Sequence, residues 1–130
     1  MRLFAFLALL LGLFAAPAEA QVYCRQTALY DASTNGSTKI VTGASATAIR
    51  LCGFNIWAAG TATVKLVTGT GTACATNETA ITPAYSLVTQ TGIADSANIW
   101  RGLLVAPGLD LCIKTSAGVA VQGQFYYVQN

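Results

Sequence analysis

The hydrophobic positions divide the chain into two unlike parts. Residues 3–16 form one apolar run of fourteen residues with a single Gly and no charge, preceded by Arg2 and ended by Pro17. From residue 22 onward no such run recurs. Apolar residues instead tend to fall at every second position over short stretches, separated by Gly, Asn, Asp and Ser. A period of two sends neighbouring side chains to opposite faces of a strand, so this second part reads as a series of half-buried strands.

The first strand is expected over residues 22–30. The segment 31–37 follows, and its Asn35-Gly36 pair favours a tight turn that Asp31 is expected to stabilise. Residues 39–42 form a short strand. A longer one, rich in Ile, Leu, Phe and Trp, covers 47–58. Beyond Ala59-Gly60, residues Ala62, Val64 and Leu66 alternate with Thr63, Lys65 and Val67, so 47–58 and 62–68 are expected to pair as a hairpin. A loop with Cys74 is expected from Gly69 to about Pro83, then strands over 84–89, 98–105 and 109–115.

In the last of these, Leu109, Leu111 and Ile113 alternate with Asp110, Cys112 and Lys114, which places Asp110 toward solvent. Ser116-Ala117-Gly118 then turns into residues 119–128, where Val119, Val121, Gly123, Phe125 and Tyr127 share a face, a second expected hairpin. Outside residues 3–16 no stretch carries apolar residues at i, i+3, i+4 and i+7 with helix caps. Seven or eight strands with frequent turns predict an all-β chain: a single antiparallel β-sandwich or jelly-roll-like domain, with a closed barrel as the alternative.

The apolar run at the start is not a strand. Arg2, the run itself, the breaker Pro17 and the small residues of Ala18-Glu19-Ala20 match a cleavable secretory signal over residues 1–20. As a helix the run reaches only about 21 Å, short of a ~30 Å hydrocarbon core, which argues against a membrane anchor. Cleavage leaves one domain over residues 21–130, secreted to the periplasm or beyond, with no membrane attachment.

Export changes how the cysteines read. All four (Cys24, Cys52, Cys74, Cys112) follow the cleavage site, and an even count in a small exported domain argues for two disulfides. Three pairings are open; sequential pairing, Cys24–Cys52 and Cys74–Cys112, is favoured, each bridge closing a loop worth roughly 3–4 kcal/mol. With no His and no Cys-x-x-Cys, a zinc site is not expected, and no carboxylate cluster suggests calcium.

Charge is sparse, 9 % of the chain. The mature part carries Arg25, Lys39, Arg50, Lys65, Arg101 and Lys114 against Asp31, Glu78, Asp95 and Asp110, a net +2. Basic residues scattered singly offer no stripe for phosphates, so no nucleic-acid partner is expected.

Catalysis is poorly served. Without His there is no Ser-His or Cys-His pair. Asp31 with Glu78 or Asp95 could form a glycosidase-like pair only if folding brought them together. Gly69-Thr70-Gly71-Thr72 resembles a fragment of a phosphate-binding loop but feeds no helix. Asn35-Gly36-Ser37 and Asn77-Glu78-Thr79 are formal glycosylation acceptors, as chance provides in a chain this rich in Ser and Thr. No catalytic residue, cofactor or metal is therefore expected.

Aromatic side chains are the better candidates for contact: Tyr30, Trp57, Tyr85, Trp100, Tyr126 and Tyr127. An exposed ring can stack on a sugar or anchor a protein interface. Trp57, near the tip of the expected 47–58/62–68 hairpin, and Tyr126, opposite in parity to Phe125 and Tyr127, are expected to be exposed; Trp57, Trp100 and Tyr126 are the candidate ligand contacts.

Several segments resemble a family of uncharacterised small all-β proteins found in tailed-phage, prophage and bacterial genomes. They are residues 30–38 (Tyr-Asp-Ala-Ser-Thr-Asn-Gly-Ser-Thr), Leu51-Cys52-Gly53-Phe54, residues 69–76 around Cys74, residues 111–116 around Cys112, and Val119-Ala120-Val121-Gln122-Gly123. The resemblance spans nearly the whole mature chain and implies a phage- or bacterium-encoded β-domain, virion-displayed or exported. A signal peptide sits awkwardly with ordinary virion assembly in the cytoplasm. The expected function is a non-enzymatic secreted structural or binding module with a protein or glycan partner, or alternatively a carbohydrate-binding module on the same scaffold. Strand edges and a charge-poor surface favour a homo-oligomer.

Overall fold

The computed structural model describes residues 24–95, 102–116 and 118–130. The leader expected over residues 1–20 lies outside these residues, as does Trp100. The described residues form ten strands: β1 (Gln26–Ala32), β2 (Gly36–Val41), β3 (Ile49–Ala58), β4 (Ala62–Thr70), β5 (Thr76–Ala80), β6 (Tyr85–Leu87), β7 (Thr91–Asp95), β8 (Leu103–Val105), β9 (Asp110–Thr115) and β10 (Val121–Gln129). One 3-10 turn occupies Thr72–Cys74.

Two antiparallel sheets result. The first runs β1-β10-β3, and β8 and β7 share the far edge of β3. The second runs β2-β9-β4, and β6 and β5 share the far edge of β4. Counting each shared edge once gives eight positions in two four-wide sheets, the jelly-roll form of the β-sandwich. The core lies between them, with Ile49, Leu51, Ile56 and Phe125 from the first sheet facing Val64, Leu66, Leu111 and Ile113 from the second.

Both expected hairpins are wrong. β3 and β4 lie in different sheets, and so do β9 and β10. The physical reason is the apolar face that each strand carries. A hairpin would set both faces on the same side of one sheet and leave them in need of a cover. An arch that passes the chain to the opposite sheet turns the two faces against each other and buries both at once. The β1–β2 link behaves in the same way, so Ser33-Thr34-Asn35 spans the sheets and closes no hairpin. Of strands consecutive in the chain, only β4 and β5 pair with each other among the described residues.

Four arches gather at one end of the sandwich and lock together. Ser116 exchanges hydrogen bonds with Thr63: its N–H donates to Thr63 O at 3.0 Å and its Oγ accepts from Thr63 N at 2.9 Å. Ala59 N–H donates to Ala120 O at 2.9 Å, Gln90 N–H to Ala58 O at 3.1 Å, and Thr115 Oγ1 to Thr34 O at 2.9 Å. The expected loop over 69–83 contains the turn and β5, and β7 arises where no strand is expected. Of the strand expected over 98–105, the described part is Leu103–Val105.

A bulge in β3 decides what the first sheet presents outward. Tyr126 lies opposite Gly53 and Tyr127 opposite Leu51, so Cys52 is an extra residue in the ladder. Such an insertion reverses the alternation of faces. Before it, Ile49 and Leu51 point inward; after it, Phe54, Ile56 and Ala58 do. Asn55 and Trp57 are turned to the outside as a result.

Candidate functional site

The outer faces of the two sheets differ sharply. On the second sheet the face is covered. The turn at Thr72–Cys74 lies across β4 and β9, joined to Cys112 by the Cys74–Cys112 disulfide of 2.01 Å, and Val67 completes a small buried cluster with the two sulfurs. Gly69 permits the cover, because a Cβ there would come within 2.7 Å of the Cys74 carbonyl oxygen.

Asp110 sits at the margin of that cover and is 6 % exposed, against the expectation that it faces solvent. Its Oδ2 pairs with Lys39 Nζ at 2.6 Å and its Oδ1 accepts the Gly43 N–H at 2.8 Å. Alternation along β9 fails as a guide there because both faces of the strand are covered.

Farther along the same face, Lys114, Lys65 and Ser37 converge on Glu78. Lys114 Nζ donates to Oε1 at 2.8 Å and to Oε2 at 3.0 Å, Ser37 Oγ donates to Oε2 at 3.3 Å, and Lys65 Nζ stands 4.0 Å away. The Lys114 hydrogen bonds hold the Glu78 carboxyl below the ordinary carboxylate range. A depressed folded pKa means that this contribution is present above the unfolded carboxyl value and is lost as pH falls through the folded one. The stability difference between wild type and Glu78→Gln, measured by urea unfolding, should stay under about 1 kcal/mol at neutral pH, as befits a solvent-accessible cluster. It should vanish as pH falls through the folded value. A difference that grew on acidification would contradict the ion pairing.

The first sheet's outer face has no such cover among the described residues. Register places its outward residues in rows that run across four strands. One row is Asp31, Gln122, Trp57 and Gly92; the next is Leu29, Gln124, Asn55 and Ala94. A third row begins Thr27, Tyr126 and Gly53. Trp57 is 42 % exposed, Tyr126 39 % and Leu29 80 %. Beside Trp57 lies a shallow, open depression of about 450 Å³, lined by Asn55, Ile56, Trp57, Gly92, Ile93, Ala94, Gln122 and Gly123.

Two amides on this face are anchored at one end. Asn55 Oδ1 accepts the Gln124 N–H at 3.0 Å, and Gln122 Nε2 donates to Asp31 Oδ2 at 3.2 Å. Asp31 therefore acts across strands and not within a turn.

No family model, curated protein or solved structure matches this chain.

Of the six candidate aromatics, Trp57 and Tyr126 share the open face. Tyr30 is buried between the sheets, where desolvation raises its pKa despite the nearby Thr38 and Thr115 hydroxyls. Tyr85 is half-buried with its ring centroid 6.3 Å from that of Phe54, and Tyr127 packs against the core. Asp31 and Glu78 engage partners on opposite outer faces and do not meet.

The cysteines pair sequentially, Cys24 with Cys52 and Cys74 with Cys112. Two disulfides suit an oxidising compartment. No helix among the described residues is long and apolar enough to cross a membrane.

Sequence reasoning singled out Trp57 and Tyr126 but missed Asn55, Gln122 and Gly92. A signal was available in the break of alternation at Cys52-Gly53, since Gly inside a strand often marks a bulge.

Proposed function

We propose that the chain is an exported, non-enzymatic surface-interaction module whose contact surface is the outer face of the β1-β10-β3-β7 sheet. One observation carries this reading: of the two outer faces, one is capped by a disulfide-bonded turn and laced with ion pairs, while the other has no such cap among the described residues and holds an exposed indole beside a depression. Large exposed aromatics anchored in a sheet are the usual centres of recognition surfaces. The disulfides, the leader-like residues 1–20 and the absence of His all favour a module that works outside the cytoplasm without catalysis. The resemblance to phage- and bacterium-borne proteins points to a bacterial envelope as the surface in question.

The test begins with the full chain expressed in a bacterium. The recovered product should start near Gln21, with all four cysteines oxidised. Fluorescently labelled, this protein should be retained on washed bacterial cells, and Trp57→Ala should lower retention at least about tenfold. Retention that ignores Trp57, or no retention on any envelope tried, would overturn the reading.

A further inference from the structure

We infer that the depression beside Trp57 is a subsite for a neutral glycan, one pyranose unit of an uncharged polysaccharide lying with its C–H face on the indole. This rests on the open face being the contact surface and names what it contacts. Four features of the site lead there.

The first is the exposed ring. Trp57 faces Gln122 across one flank and Gly92 across the other, and its Gly92 partner carries no side chain to cover the indole. That flank is held clear by geometry, since a Cβ on Gly92 would come within 2.8 Å of the Ile56 carbonyl oxygen. A bare aromatic face above a backbone floor suits a flat, partly apolar ring.

The second is the hydrogen-bonding capacity left over. With its Oδ1 committed to the Gln124 N–H, Asn55 retains its amide N–H donors; with its Nε2 committed to Asp31, Gln122 retains an acceptor oxygen. A sugar hydroxyl both donates and accepts, so the hydroxyls of one ring can satisfy both the Asn55 donors and the Gln122 acceptor. Each amide is tethered at one end, which reduces the ordering entropy lost on binding.

The third is charge. Among the described residues, no lysine or arginine lines the depression. The only ionised side chain in its two rows, Asp31, already holds Gln122. Such a site repels anionic sugars and gives a cation little to gain, which leaves an uncharged polyol as the complementary ligand.

The fourth is shape. The depression is open along the sheet and does not enclose its occupant, so it fits an internal unit of a chain better than a terminal sugar.

The test uses the exported protein with three neutral linear probes: cellohexaose, chitohexaose and maltohexaose. A Trp100→Phe background leaves Trp57 as the only tryptophan, and its emission should respond to at least one probe, with a dissociation constant between about 10 μM and 1 mM. Trp57→Ala should weaken calorimetrically measured binding at least about tenfold and Gln122→Ala several-fold, while Trp57→Tyr keeps most of it. Binding should persist at about 1 M salt, since no ion pair contributes. Unchanged circular dichroism and melting behaviour would show that the variants are folded.

Silence from all three probes at about 10 mM overturns the inference, as does binding indifferent to Trp57. So does a homodimer that Trp57→Ala dissociates and no probe competes away, because the face would then belong to a second copy. If the probes fail while retention on cells still depends on Trp57, the glycan is wrong and the surface module stands. If retention also ignores Trp57, both fall.

Discussion

Replacing Cys74 and Cys112 together with alanine should lower the unfolding free energy by about 4 kcal/mol, the chain-entropy value for a bridge between residues 38 apart. The Cys24–Cys52 bridge spans 28 residues, and the same relation gives about 3.5 kcal/mol. Loop entropy alone thus makes the two bridges nearly equal. Their surroundings do not. Cys74 and Cys112 are fully buried, share a small apolar cluster with Val67, and fasten the 3-10 turn over the outer face of β4 and β9. Cys24 and Cys52 are half-buried at the start of the described chain and at the β3 bulge.

Removing the inner bridge should therefore cost more than removing the outer one, because the turn loses its packing as well as its tether. Against a total stability of about 5–15 kcal/mol for a domain of this size, the loss is a large fraction of the whole. Urea unfolding of the two double-alanine variants checks it. Equal midpoints would show that the Val67 cluster adds nothing beyond loop closure.

The fold was legible in its parts and misread in its connections. Alternation along β4, β9 and β10 located strands correctly, and frequent turn residues gave the right class. What alternation does not encode is the neighbour of each strand. A three-residue link such as Ala59-Gly60-Thr61 closes a hairpin or an arch with equal ease, and the choice follows from burying two apolar faces at once, a property of the whole sandwich. β5 was hidden for a different reason. Its residues, Thr76–Ala80, are all exposed, so they carry no apolar period.

The open face was partly legible. Tyr126 was reachable from parity, and Trp57 from its place near the end of the long strand, although the hairpin expected there does not form. Asn55 and Gln122 were not, because their importance comes from register across three strands and from the extra residue at Cys52. Without that residue, Trp57 would share the inward phase of Ile49 and Leu51. Asp110 shows the opposite failure. It obeys the alternation of β9 and points away from the core, but the outside there is covered by the turn and by Gly43, so solvent exposure does not follow from parity.

Phe125→Ala is the other large effect expected, about 3–5 kcal/mol, because it empties a site no neighbour can easily refill. Phe125 is fully buried, with its ring centroid 6.1 Å from that of Phe54, which in turn stands 6.3 Å from Tyr85 of the opposite sheet. The three rings tie the sheets together through Phe54, and removing one leaves the others with lost dispersion contacts on that side. Phe125→Leu keeps most of the volume and should cost less than about 1.5 kcal/mol.

The consequence for binding is separable from that for stability. Phe54 and Phe125 are cross-strand partners, and the next pair along the same strands is Asn55 with Gln124, facing outward. The outward residues take their positions from backbone register and not from the ring beneath. Phe125→Ala, held well below its melting midpoint, should therefore keep its Trp57-dependent retention on cells while its midpoint falls by about 15 °C or more. Loss of retention in a variant still folded by circular dichroism would mean that the core ring, and not the β-ladder, sets the geometry of the face.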